Sequence, residues 1–96
     1  MVKLEAYIPK YPMAPHLELR EKLIDACVGI TEHSMCVGAW HSAKLSEVVQ
    51  EGVVQFVLVI HEFDVAVIDR FLREYKEAAN QEAVLYTITE VKSITP

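Results

Sequence analysis

The chain has 96 residues, 52% of them hydrophobic and 24% charged, with 3 Gly, 4 Pro and 2 Cys. That balance excludes disorder, collagen-like repeats and a disulfide scaffold, and predicts a single domain over 1–96 with one core. Nine Lys and Arg against 14 Asp and Glu give a net charge of −5, which disfavours nucleic acid or an anionic membrane surface as a partner.

Val2, Leu4, Ala6 and Ile8 alternate with Lys3, Glu5 and Tyr7, the period-two pattern of a half-buried strand, which Pro9 is expected to end. From Pro15 the spacing becomes helical. Leu19, Leu23, Ile24 and Cys27 share one face, and the helix is expected to run to near Gly29. Met35 to Trp40 reads as a second strand and Val53 to His61 as a third, rich in β-branched residues. Between them, Ser42 to Gly52 reads as a polar connection with a short helical turn around Leu45 to Val49. Asp64 is placed to cap a second helix, with Ile68, Phe71, Leu72 and Tyr75 as its apolar stripe and Asn80 as its stop. Ala83 to Val91 supplies a fourth strand.

The order strand, helix, strand, strand, helix, strand predicts an α+β ferredoxin-like βαββαβ sandwich, a four-stranded antiparallel sheet with two helices on one face. The other face also reads as apolar, since Val53, Val57 and Val59 alternate with Val54, Phe56, Leu58 and Ile60, and Val84, Tyr86 and Ile88 oppose Leu85 and Val91. A second apolar face predicts burial against another subunit.

No stretch approaches the length of about 20 apolar residues that spans a bilayer, and the opening Met1 to Glu5 lacks the basic-then-apolar order of a secretory signal. With too few cysteines for a disulfide framework, the cytoplasm is the expected compartment. Among groups that hold metals, Glu32, His33 and Cys36 lie together in sequence, and pairing of strands two and three would bring His61 and Glu62 towards His33. Imidazole with sulfur favours copper or zinc. The alternative is a polar strand end with solvated histidines and a buried Cys36. Cys27, on an apolar helix face, reads as structural. No G-x-S-x-G, P-loop, H-E-x-x-H or C-x-x-C motif is present, so an enzyme is not the expected reading. The enzyme alternative is a small dimeric α+β barrel using His41 or His61.

Val2-Lys3-Leu4-Glu5-Ala6-Tyr7-Ile8-Pro9-Lys10 resembles the first strand of PII signal-transduction proteins, and the order of elements is similar along almost the whole chain. Leu23 to Ile30 and Ala39-Trp40-His41 resemble CutA-like proteins, relatives with the same trimeric architecture. The resemblance implies three copies packing their sheets around a threefold axis, small ligands in the clefts between subunits, and a loop between strands two and three that engages a transporter or enzyme. It places that loop at Ser42 to Gly52 and suggests Trp40, His41, Lys44 and Glu47 as ligand-binding residues. Trp40 can stack on a base and Lys44 can pair with an anion. The alternatives are a packing aromatic and a solvated hairpin connection. The Gly-rich basic segments that hold ATP phosphates in PII proteins are absent, and Glu77 and Glu82 flank the turn before strand four. The expected ligand is therefore a metal ion, copper or zinc, or bicarbonate, or an adenine nucleotide less charged than ATP. A CutA-like metal-tolerance role is the second reading.

Overall fold

Alternation along the first strand sends Leu4, Ala6 and Ile8 into a core where none is more than 1% exposed. The computed structural model describes residues 1–92, in the order β1 (Val2–Pro9), α1 (Met13–Ala26), β2 (Gly29–Ser42), β3 (Glu47–Ile60), a short 3-10 turn (Glu62–Asp64), α2 (Val65–Ala78) and β4 (Tyr86–Glu90). The sheet order is β2-β3-β1-β4 with every neighbouring pair antiparallel. Leu19 and Leu23 of α1 and Ile68, Leu72 and Tyr75 of α2 join the inward side chains of β1 and β3 in one core cluster. This is the expected ferredoxin-like sandwich. No helix among the described residues is long and apolar enough to cross a membrane.

The helices differ from the expectation at their ends. α1 starts at Met13, so Pro15 sits within its first turn, where a missing N–H costs nothing. It stops at Ala26, and the Cys27 amide donates to the Leu23 carbonyl. Its buried stripe is His16, Leu19 and Leu23, while Ile24 is exposed. Asp64 stands before α2 but makes no side-chain capping bond, because the 3-10 turn already feeds the helix. Asn80 does end α2: it has φ 52°, its amide donates to Glu77, and the Gln81 amide donates to Lys76. Those two bonds around a left-handed residue satisfy the last carbonyls of the helix.

The strands depart more. β2 begins at Gly29, and β3 begins at Glu47 rather than at Val53. The expected 42–52 connection and its helical turn are not formed. Val48 and Val49 instead pair with His41 and Trp40, a ladder that suits β-branched residues better than a single helical turn. Only Ala43 to Ser46 joins the strands, with Ser46 at φ 53°.

The open face of the sheet also needs correcting. Ile88 pairs with Leu4 and Tyr86 with Ala6, which puts both on the helix side and turns Thr87 and Thr89 outward. Outward neighbours include the Lys3–Glu5 ion pair at 3.2 Å and Tyr7, whose hydroxyl accepts from the Gln55 amide at 3.4 Å. The face is therefore mixed, with Val57 and Val59 at its centre only half-buried.

Candidate functional site

β1 pairs with β3 only over residues 53–60, whereas β2 stays paired with β3 out to Glu47. Residues 37–42 and 47–52 thus have only each other as ladder partners and extend the molecule into a two-stranded ribbon along a 52 Å axis. Met35, at its base, is 96% exposed, Val37 77%, Leu45 62% and Val48 55%, so part of the exposed apolar surface of the chain lies here.

The ribbon carries the four residues expected to bind ligand. Trp40 is half-buried opposite Val49, and His41 is exposed opposite Val48. As neighbours in a strand they face opposite ways. Glu47 is paired with Ser42, two residues from Trp40, so it shares the Trp40 face; Lys44 lies exposed in the turn. The ribbon therefore brings Trp40 and Glu47 to one side, sends His41 to the other, and leaves Lys44 at the tip.

The expected metal cluster does not assemble within one chain. His33 pairs with Gln55, six residues before His61, which follows the end of β3, a separation of about 20 Å at the rise of a strand. Glu32 is held by Arg20, whose Nε and Nη2 donate to its two carboxylate oxygens at 2.7 and 3.0 Å. His61 stacks on Phe63 with ring centroids 5.1 Å apart. The ladder breaks between His33 and Cys36 as a bulge, and the Cys36 thiol donates to the His33 carbonyl at 3.6 Å. The three-residue spacing that resembles a ligand pair is thus the spacing of the bulge. Among the described residues no three His, Cys, Asp or Glu side chains gather where they could hold one ion.

Three features escape a sequence reading. At the ribbon tip, the Glu82 carboxylate accepts from the Ser42 hydroxyl and from the backbone amides of Ala43 and Lys44. The Ser42 hydroxyl also accepts from the Leu45 amide at 3.1 Å. These donors, the hydroxyl above all, hold the Glu82 carboxyl below the ordinary glutamate range. At the ribbon base, Glu51 has one carboxylate oxygen buried without a partner, and burial pushes its pKa up. Beside the first turn of α1 lies an open cleft of about 450 Å³ lined by Lys10, Tyr11, Met13, Arg20, Glu32 and Ser34, among others. Below it the buried His16 contacts the Pro9 carbonyl through Nδ1 at 2.9 Å. A carbonyl only accepts, so Nδ1 carries the proton. Cys27 keeps its structural reading: burial, then the charge of Asp64, pushes its thiol up to about 11, leaving little thiolate near neutrality.

No protein-family model matches the sequence, and no curated protein matches it. Solved structures do. The PII-like protein CutA from Nostoc sp. PCC 7120 matches with a TM-score of 0.71 at 13% identity, over 95% of this chain and 81% of that one. The chain has the CutA and PII fold. GlnK of B. subtilis, solved as its ATP complex, matches at TM-score 0.62 and 13% identity over 94% of this chain and 80% of that one. A phage SAM lyase in complex with S-methyl-5'-thioadenosine matches at TM-score 0.70 and 14% identity over 93% and 80%. At such identities the likeness fixes the fold alone, and the fold is shared by CutA, a GlnK solved with ATP and a SAM lyase.

Proposed function

We propose that the chain acts as a cytoplasmic homotrimer that binds a small ligand at the clefts between its subunits and reports it, through the β2–β3 ribbon, to a protein partner such as a transporter or an enzyme. The observation that carries this reading is the ribbon itself. A two-stranded extension that exposes Met35, Val37, Leu45 and Val48 is poorly stable in isolation and gains most by lying on another copy. The mechanism is population shift: a ligand that prefers one position of the tip raises its occupancy, and the partner reads it. The Glu82 contact with Ser42, Ala43 and Lys44 is the joint that a ligand would bias.

An adenine nucleotide is the ligand class best supported. Trp40 offers a partly exposed ring for a base and Lys44 a charge for a phosphate, and two proteins of this fold hold adenine-containing ligands. A copper or zinc ion bound through Glu32, His33, Cys36 or His61 would need donors from more than one copy. Native mass spectrometry tests the assembly: a threefold mass is expected, with added mass on incubation with AMP that Trp40→Ala abolishes. A twofold mass overturns the trimer in favour of a dimeric barrel. A trimer that takes up zinc but no nucleotide transfers the reading to metal tolerance.

A further inference from the structure

The cleft beside the first turn of α1 has about 450 Å³ of space, within the usual range for small-molecule sites. Its floor is apolar, with Val54 only 5% exposed, and Tyr11, Met13 and Leu17 present apolar surface at 67%, 51% and 50% exposure. Polar groups converge on the same space: Lys10, Arg20, Glu32 and the Ser34 hydroxyl. Two cations against one carboxylate make this a positive spot on a chain of net charge −5. Lys10, like Lys44, Lys76 and Lys92, has no ion-pair partner among the described residues, whereas Lys3, Lys22, Arg70 and Arg73 are each paired with an acid.

Arg20 and Glu32 meet through two parallel bonds of 2.7 and 3.0 Å. This is the fork by which an arginine recognises any carboxylate or phosphate. The side chains keep 41% and 29% of their surface in water, so solvent screens the pair and another anion can replace Glu32 at small cost.

We infer that this cleft binds a small organic anion, a carboxylate or a monophosphate on a flat or aliphatic body, and that Glu32 occupies the anion seat until the ligand displaces it. The head group takes the Arg20 fork, with Lys10 as a second cation and Ser34 as a hydroxyl donor, while the body lies on Tyr11, Met13 and Leu17. The site is built by one chain and is separate from Trp40 and Lys44 on the ribbon.

The test is an NMR titration that follows the Arg20 Nε–H and Ser34 amide signals, with phenyl phosphate, benzoate and neutral benzyl alcohol as probes. Both anions are expected to shift these signals and benzyl alcohol is not; a response to one anion alone identifies the head group and supports the site. Glu32→Gln frees the fork and should tighten binding roughly tenfold, while Arg20→Lys keeps the charge, loses the fork and should weaken it roughly tenfold. Glu77→Gln removes the same charge from an exposed position on α2 and should change little. Equal shifts with benzyl alcohol, no shift at Arg20, or equal tightening by Glu32→Gln and Glu77→Gln would each overturn the inference.

Discussion

The body of the molecule and its ribbon are built from the same two long strands and obey different rules. Over residues 53–60, β3 has a partner on each side and helices above it, so Phe56, Leu58 and Ile60 are fully buried. Past Val53 the same strand has one partner and no helix, and Val48 is 55% exposed. One β-branched sequence thus serves as a core in one half and as surface in the other. The lesson is that apolar content in a strand marks a need for cover without saying whether its own chain provides it.

The contrast is sharpest where a core side chain is removed. Phe56→Ala empties a fully buried aromatic site and should cost about 3–5 kcal/mol, read as a lower urea midpoint. Tyr75→Phe is the next step down. Tyr75 is 3% exposed and its hydroxyl donates to the Pro9 carbonyl at 3.3 Å. That carbonyl keeps the His16 Nδ1–H, so no acceptor is orphaned and the loss should be about 1 kcal/mol at most. On the ribbon, Val37→Ala should cost the single chain no more than about 0.5 kcal/mol, measured at a dilution that dissociates the assembly. A loss as large as that of Phe56→Ala would show that the ribbon belongs to the body's cooperative unit and break the comparison.

How much was legible in the sequence follows the same divide. β1 and α2 can be read because burial on one side leaves a period in Leu4, Ala6 and Ile8 and in Ile68, Leu72 and Tyr75. The first part of β2 and the start of β3 cannot, because Thr31 to Met35 and Glu47 to Val48 are exposed and carry no inward-outward contrast. Their ladder is made by backbone groups that leave no trace in side-chain pattern. Site residues fare likewise. Arg20 meets Glu32 across 12 positions and Ser42 meets Glu82 across 40, and no local motif announces either. His33 and Cys36, three positions apart and ligand-like in sequence, flank a bulge instead.

The smallest expected effect is confined to the ribbon tip. Glu82 joins the tip to the segment before β4 through the Ser42 hydroxyl and the amides of Ala43 and Lys44, and its carboxyl titrates below the ordinary value of 4.5. Because those donors favour the charged form, the contact is at full strength above that value and is lost as the pH falls through the lowered folded-state value. Hydrogen exchange at Ala43 and Lys44, corrected for the intrinsic pH dependence, should therefore stay protected at pH 5 to 7. It should accelerate only in stronger acid, while the amides of β1 remain protected. Glu82→Gln should remove the pH step and leave the tip open across the range, with the urea midpoint unchanged. If the β1 amides open together with the tip, then Glu82 ties ribbon and body into one cooperative unit, and the tip is not free to act as a reporter.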